Sequence, residues 1–290
     1  MQGLVAIDGV VVPRGEAKIG VYDRGFLYGD SVFETMRTYE GRLYRLADHM
    51  ARLGRSLGVV RIEPPMSPEA LGLEITGLVA RAREELTLGG DVPEIVARVM
   101  VTRGESPLGL LPQASARGTR VLFLERVVMP PARLYEEGAS VVMVPTYRPS
   151  DAARGAKVGN YLESILALQR GKEQGADEAL IVDAGGFVVE GTTSNVFIVK
   201  DGRLLTPPVS SSLLPGITRR TVIELASELG IPFEERSLVP ADLTGADEAF
   251  ITSTVRGVMP LGAIDGHALG RERPVTASLR AAFATRVLRS

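Results

Sequence analysis

Lys157 is the first residue in this sequence whose type and position suggest chemistry. It stands in residues 155–162, Gly-Ala-Lys-Val-Gly-Asn-Tyr-Leu, where the spacing of the following apolar residues predicts the opening of a helix. The positive end of a helix dipole and partial burial both favour a neutral amine, which is the form that Schiff-base chemistry requires. A single lysine is more often a surface residue whose stem lies on apolar neighbours, so Lys157 alone does not identify a site.

A carboxylate ends a short predicted strand further along the chain. Glu190 is followed at 191–195 by Gly-Thr-Thr-Ser-Asn, a run of small and polar residues. Taken alone, this segment is typical of a turn beside a solvated glutamate.

The third candidate is a predicted anion site at the start of a helix. Residues 213–220 are Leu-Leu-Pro-Gly-Ile-Thr-Arg-Arg. Gly216 permits close approach of the backbone, and the first helical turn presents free N–H groups and the Thr218 hydroxyl. Residues 252–254, Thr-Ser-Thr, add hydroxyls at a predicted strand end. These groups suit a phosphate, although a helix start without a ligand is the common case.

The composition argues against several other kinds of site. The 290 residues include no Cys and only two His, His49 and His267, so a disulfide framework, a thiol nucleophile and a Cys- or His-rich metal centre are not expected. No G-x-S-x-G, Walker A or G-x-G-x-x-G motif occurs, and we expect His49 to make a structural hydrogen bond. The 33 basic and 35 acidic residues leave a net charge of −2, which indicates neither a nucleic acid nor a membrane as partner. With no apolar run of spanning length and no export signal, a cytoplasmic location is expected.

The elements that must position these residues are predicted from periodicity and turn dipeptides. Asp8-Gly9 and Glu40-Gly41 predict two hairpins. Apolar spacing predicts helices at 46–57, 68–86, 158–174, 217–229 and 275–288, and strands at 95–102, 119–127, 140–144, 179–182, 195–199, 248–252 and 257–264. The third helix is expected to bury Leu162, Ile165, Leu166 and Leu168. The pattern breaks near 128–131, so we predict an α+β chain with domains at 1–125 and 138–290 joined by a linker at 126–137.

Together and in this order, the three segments resemble those of fold-type IV pyridoxal-phosphate enzymes, the class IV aminotransferase family. That family includes branched-chain aminotransferases, D-amino acid aminotransferases and aminodeoxychorismate lyases. The resemblance begins at residues 22–34, Tyr-Asp-Arg-Gly-Phe-Leu-Tyr-Gly-Asp-Ser-Val-Phe-Glu, and ends at Pro260. Its most specific part is the run Glu-Gly-Thr-Thr-Ser-Asn-Val-Phe at 190–197, which starts 33 residues after Lys157.

The resemblance implies a cofactor, pyridoxal 5′-phosphate, and a role for each matching residue. Lys157 matches the lysine that forms the internal aldimine and shuttles the proton, and Glu190 matches the carboxylate that pairs with the pyridine nitrogen. Tyr161 is similar to the tyrosine that hydrogen-bonds the ring O3′. The residues that match phosphate ligands are Arg52, Ile217, Thr218 and Thr254. The family also implies a small N-terminal and a larger C-terminal α/β domain with the cofactor in the cleft between them, and a homodimer with shared active sites.

The substrate side of the resemblance favours a branched-chain-like enzyme. The run 102–107, Thr-Arg-Gly-Glu-Ser-Pro, resembles that of D-amino acid aminotransferases, but Leu108 and Leu110 replace their Arg-x-His carboxylate clamp. Arg98, six residues before Gly104, matches an arginine of branched-chain enzymes, although an exposed strand residue is an equal alternative. The remaining residues that match the substrate wall are Tyr28, Phe33, Arg37 and Val255, whereas Val96 departs from a tyrosine common there.

We therefore expect an aminotransferase that moves an amino group from an apolar amino acid to a 2-oxo acid such as 2-oxoglutarate. Thr35 follows Phe33-Glu34 where related lyases have a threonine and branched-chain enzymes a glycine, so an aminodeoxychorismate lyase stays an alternative. A D-amino acid aminotransferase with a different carboxylate clamp and a non-catalytic dimeric binding protein on the same scaffold are the others.

Overall fold

The computed structural model describes residues 3–112, 117–146, 155–210 and 213–289. The chain divides into two compact units. The N-terminal unit comprises Met1–Val128 and Ala156–Asn160, and the C-terminal unit comprises Met129–Gly155 and Tyr161–Arg289. Lys157 thus belongs to the N-terminal unit, and the domain limits at 1–125, 126–137 and 138–290 stay predictions.

The N-terminal unit is an antiparallel sheet with helices on one face. Its strands are β1 (Gly3–Ile7), β2 (Val10–Val12), β3 (Ser31–Tyr39), β4 (Arg42–Leu43), β5 (Ile95–Thr102) and β6 (Arg120–Arg126), in the order β2-β1-β6-β5-β3-β4. The helices are α1 (Arg24–Tyr28), α2 (Leu46–Val60) and α3 (Pro68–Glu85), besides a 3-10 turn at Arg14–Glu16. The predicted hairpins are confirmed, because Asp8 and Glu40 adopt the positive φ values that such two-residue turns need.

One face of this sheet is buried and the other carries polar and aromatic side chains. Val32 and Met36 of β3, with the alternate residues of β5 and β6, pack against α2 and α3 in one core. Since side chains alternate across a strand, Phe33, Thr35 and Arg37 lie on the opposite face. We call that opposite side of the sheet, made by alternate residues of β3 and β5, the outer face.

The C-terminal unit is a nine-stranded sheet flanked by helices. Its strands are β7 (Ala139–Pro145), β8 (Glu178–Val182), β9 (Val188–Gly191), β10 (Asn195–Lys200), β11 (Arg203–Thr206), β12 (Phe233–Glu235), β13 (Glu248–Ser253), β14 (Gly257–Ile264) and β15 (His267–Ala268). Their order is β12-β11-β10-β13-β14-β7-β8-β9, with β15 beside β14. The helices are α4 (Leu162–Glu173), α5 (Ile217–Glu228), α6 (Pro240–Thr244) and α7 (Pro274–Arg289), with a π-helical turn at Leu134–Gly138.

The prediction for α4 was wrong in two respects. The helix begins at Leu162, not at 158. Its contact face consists of small residues such as Ala167 and Gly171, because a Cβ on Gly171 would lie 3.4 Å from the Glu178 carbonyl and from Val142. Of the residues expected to be buried, Leu162 (61% exposed), Ile165 (50%) and Leu166 (48%) face outward and Leu168 is half-buried. Periodicity located an apolar stripe but not the surface that would cover it.

Other predicted elements agree with the structure to within a few residues. Residues 113–116 and 147–154 lie outside the described residues. Across the described part of the chain, no helix is long and apolar enough to cross a bilayer.

Candidate active site

Lys157 lies in an extended segment that pairs with the start of β3. Phe33 N–H donates to the Lys157 carbonyl at 3.0 Å, Gly159 N–H donates to the Ser31 carbonyl at 2.8 Å, and Val158 bridges Val32. A side chain at 159 would place its Cβ 2.0 Å from Ser31 Oγ, so any residue other than glycine would force the Ser31 side chain to move. The backbone therefore fixes Lys157 beside the sheet, and the expectation that a helix dipole acts on its amine was wrong.

The Lys157 side chain ends over an aromatic ring of the outer face. Its Nζ lies 4.6 Å from the centroid of Phe33, a ring that is only 5% exposed. The guanidinium carbon of Arg98 lies 5.1 Å from the same centroid. One buried ring thus contacts two basic side chains, an amine that can exchange a proton and a guanidinium suited to a carboxylate.

Arg98 is further held by the strand next to it. It stands directly opposite Thr35 in the β3–β5 register, and its Nε donates to Thr35 Oγ1 at 3.2 Å. Arg98 is exposed, and its guanidinium lies over the Phe33 ring. Its role stays a prediction.

Arg37 and Tyr28 have other surroundings. Arg37 is 8% exposed, and its guanidinium lies over Tyr39 at 4.2 Å. Tyr28 ends α1, and its hydroxyl accepts a hydrogen bond from Gly109 N–H at 3.1 Å. Arg24 donates to the carbonyls of Gly109 and Leu110 at 2.8 Å each, so this loop is fixed to α1. The structure therefore places Phe33 and Arg98 beside Lys157, whereas Tyr28 contacts the loop that follows β5.

Arg52, the predicted phosphate ligand, belongs to a buried triad with Glu34 and His49. Arg52 Nε and Nη2 donate to the two carboxylate oxygens of Glu34 at 2.7 and 2.8 Å, and His49 Nδ1 lies 2.8 Å from Oε2. All three side chains are at most 5% exposed. The predicted structural hydrogen bond of His49 is confirmed, and the triad fixes the orientation of Arg52.

The triad holds two unusual protonation equilibria. Burial alone would raise the pKa of Glu34, but hydrogen bonds from Arg52 and His49 and the Arg52 charge lower it to about 2. Burial also lowers the pKa of His49 from its ordinary 6.5, and this effect outweighs the neighbouring carboxylate. Since an ionised carboxylate only accepts, a neutral His49 donates from Nδ1.

In the C-terminal unit, Glu190 lies one residue before the end of β9 and is oriented by a buried hydrogen-bond network. Its Oε2 accepts from Leu214 N–H at 3.0 Å and from Asn195 Nδ2 at 3.5 Å. Asn195 Nδ2 also donates to the Leu214 carbonyl at 3.0 Å. The network joins the carboxylate to the segment that leads into α5.

The start of α5 has the geometry of an anion cradle. Gly216 is its N-cap and offers no side-chain hydrogen bond, and the first helical residues Ile217 and Thr218 are buried. A Cβ on Gly216 would lie 2.0 Å from Asn195 Oδ1, so the backbone approaches as closely as only glycine allows. An uncapped, buried helix start of this kind suits a phosphate. The remaining predicted residues are half-buried: Thr254 and Val255 in the turn between β13 and β14, and Tyr161 directly before α4.

One cluster in this unit was not predicted. The carboxylate of Glu178, which is 1% exposed, accepts from the Thr192 hydroxyl and forms an ion pair with Arg256. Thr192 follows Glu190 and Arg256 follows Thr254 in sequence, so one buried carboxylate ties together the two turns that carry predicted ligands. A glutamate heading a strand of otherwise apolar residues was the available signal.

The family is decided by a match over most of the chain. A model of the class IV amino-transferases matches residues 31–264. The chain belongs to this family. This class IV aminotransferase is 39% identical over 283 residues to a putative branched-chain-amino-acid aminotransferase of Methanocaldococcus jannaschii, with 96% of this chain and 94% of the relative covered.

Further similarities extend to a D-specific relative and to a solved structure. The chain is 32% identical to a D-alanine aminotransferase of Bacillus licheniformis, with 93% of this chain and 91% of the relative covered. It is similar to the crystal structure of the T.th. branched-chain amino acid aminotransferase complexed with N-(5′-phosphopyridoxyl)-L-glutamate, with a TM-score of 0.87, 32% identity and coverage of 99% and 94%. The predicted family and the mixed α/β, fold-type IV architecture are confirmed, and the chain is a transaminase.

Proposed function

We propose that this transaminase uses pyridoxal 5′-phosphate to move an amino group from an apolar, branched-chain-like amino acid to a 2-oxo acid such as 2-oxoglutarate. The observation that carries the proposal is the Phe33 ring, which holds the Lys157 amine at 4.6 Å and the Arg98 guanidinium at 5.1 Å. An amine that binds and returns a proton thereby lies near a cation that can hold a carboxylate.

The residues present fit the cofactor. The uncapped start of α5, with Ile217 and Thr218, has backbone donors for its phosphate. Arg52, whose orientation Glu34 fixes, would add a positive charge. Glu190, already oriented by Asn195 and Leu214, has the charge to keep a pyridine nitrogen protonated. When bound, pyridoxal phosphate supplies the electron sink that stabilises a carbanion at the substrate Cα.

The chain's own residues then divide the remaining work. Lys157 Nζ would take the proton from the substrate Cα as a general base and give it up again as a general acid. Thr254 and Tyr161 would add hydrogen bonds from their hydroxyls to the phosphate and to the ring oxygen. Phe33 presents an apolar surface to a branched side chain, and Arg98 presents its charge to a carboxylate of the acceptor.

Two other activities remain alternatives because specific observations favour them. Thr35 is the residue that favours a lyase, and the D-alanine aminotransferase relative favours D-amino acids. Against the latter, Leu108 and Leu110 are 71% and 82% exposed and carry no charge for a carboxylate.

Steady-state assays separate these possibilities. We expect wild-type enzyme to convert branched-chain amino acids only when 2-oxoglutarate is present, and Lys157→Ala to keep its circular dichroism spectrum and lose turnover. Release of pyruvate from aminodeoxychorismate without an acceptor would establish the lyase instead. Wild-type transamination by Lys157→Ala would refute the assignment of the base.

We also propose a homodimer in the cytoplasm. The N-terminal unit exposes apolar side chains near Tyr28 in the chain and in the loop after β5: Val21 (67%), Tyr22 (53%), Phe26 (74%), Leu108 (71%), Leu110 (82%) and Leu111 (89%). Soluble monomers rarely leave so many large apolar residues in water. Sedimentation equilibrium should give twice the 31.0 kDa chain mass, and a monomer at micromolar concentration would contradict this part of the proposal.

A further inference from the structure

The outer face contains a contact that no predicted function uses, between the hydroxyl of Thr35 and the guanidinium of Arg98. The two residues are direct cross-strand partners of β3 and β5. Arg98 Nε donates to Thr35 Oγ1 at 3.2 Å while its guanidinium carbon lies 5.1 Å from the Phe33 centroid. The guanidinium is thus held at one edge and through its contact with the ring.

We infer that Thr35 is a positioning residue that makes Arg98 selective for dicarboxylic acceptors, an inference that rests on the proposed aminotransferase function. With Nε bound to Thr35, the two terminal nitrogens keep their N–H groups, and within the described residues no protein group accepts from them. Two parallel N–H groups are what a carboxylate binds best.

The contacts with Phe33 set an upper limit on the separation of Lys157 and Arg98. Lys157 Nζ and the Arg98 guanidinium carbon lie 4.6 and 5.1 Å from one centroid, so they are separated by no more than about 10 Å. In 2-oxoglutarate the reacting carbon and the distal carboxylate are three C–C bonds apart, about 4 Å. A five-carbon dicarboxylate with its reacting carbon near Lys157 and its distal carboxylate on Arg98 therefore fits within that limit. An apolar side chain ends in methyl groups and gains nothing from the aligned nitrogens.

Holding the guanidinium in advance lowers the cost of binding. An arginine side chain has several rotatable bonds, and ordering it opposes association. The Thr35 hydroxyl and the Phe33 ring provide this order before the ligand arrives. Loss of the Thr35 hydroxyl should therefore weaken the binding of a dicarboxylate and leave the binding of a monocarboxylate unchanged.

Binding of two unreactive probes to the holoenzyme tests the inference. Glutarate carries both carboxylates and pentanoate carries one, and calorimetry measures each dissociation constant without turnover. We expect Thr35→Val, which removes only the hydroxyl, to raise the dissociation constant of glutarate about fivefold and to change that of pentanoate by less than twofold. Thr35→Ser should restore wild-type binding, and Arg98→Met should weaken glutarate at least as much as Thr35→Val. Thr76→Val removes a hydroxyl that is hydrogen-bonded within α3 and serves as the control.

Kinetics supply a second readout. Thr35→Val should raise the KM for 2-oxoglutarate about fivefold with little change in kcat, and it should leave the KM for 4-methyl-2-oxopentanoate as in wild type. Equal weakening of both probes, or wild-type glutarate binding by Thr35→Val, would overturn the inference. Failure of the proposed function is distinct, because it would show as absent transamination in the wild-type enzyme.

Discussion

Removing one partner of the buried Glu34–Arg52 pair should lower the free energy of unfolding of the enzyme by several kcal/mol. Glu34 is fully buried and Arg52 is 4% exposed, and two hydrogen bonds of 2.7 and 2.8 Å join them. Removing one partner leaves a charge without its counter-ion in the interior, which costs about 3–5 kcal/mol. We expect Glu34→Leu and Arg52→Met each to lower the free energy of unfolding by that amount.

The double variant gives the sharper test of this reasoning. With both charges gone, the remaining cost is mainly the lost partner of His49, about 1–3 kcal/mol. Glu34→Leu with Arg52→Met should therefore be more stable than either single variant. An exposed pair offers a matched control, since Arg81 and Glu85 lie 2.6 Å apart with side chains 52% and 44% exposed. Arg81→Met should change stability by less than about 0.5 kcal/mol.

Urea unfolding followed by circular dichroism measures these differences. Because cofactor binding adds to the stability of the folded state, the series is run both at one saturating cofactor concentration and on the apoenzyme. Additive losses in the double variant would refute the argument, as would single variants within about 1 kcal/mol of wild type.

Three further substitutions test other contacts. His49→Gln should flatten the dependence of stability on pH below 6.5, because a His49 with a lowered pKa stays neutral in the folded protein while the unfolded chain takes up a proton. A separate loss of stability between pH 4.5 and about 2, where Glu34 titrates, should remain. An unchanged slope near pH 6 would contradict the first expectation. Gly216→Ala forces a Cβ to within 2.0 Å of Asn195 Oδ1, so cofactor affinity should fall at least tenfold, whereas Gly77→Ala, with open space around it, should bind cofactor as wild type does. Glu178→Gln removes a buried charge from its ion pair and should cost about 1–3 kcal/mol in urea unfolding; wild-type stability would show that the cluster is dispensable.

Features set by neighbouring residues were predictable from the sequence. The hairpins at Asp8-Gly9 and Glu40-Gly41 depend on turn residues alone, and α2, α3, α5 and α7 follow from apolar spacing. The site segments around Lys157, Glu190 and Gly216 were found because their order resembles that of a known family. In each case the information lies within a few residues of the feature or in motif order along the chain.

Features set by distant residues were not predictable. The helix expected at 158 starts at Leu162 because residues 157–159 pair with β3, more than a hundred positions earlier in the chain. The Thr35–Arg98 contact depends on the register between strands 63 residues apart. Glu178 and Arg256 are 78 residues apart and meet only in the folded sheet. Periodicity contains no information on such pairings.

A half-reaction is the most direct test that the enzyme exchanges amino groups between apolar amino acids and bound pyridoxal phosphate and that this exchange needs Lys157. The absorbance of the holoenzyme is followed as single L- and D-amino acids are added without an oxo acid. We expect a loss of the cofactor band with branched-chain amino acids, its return on addition of 2-oxoglutarate, and no such cycle in Lys157→Ala. An unchanged spectrum with every apolar amino acid would show that the enzyme does not transfer their amino groups. A response confined to D-amino acids would show that the interpretation of Leu108 and Leu110 is wrong.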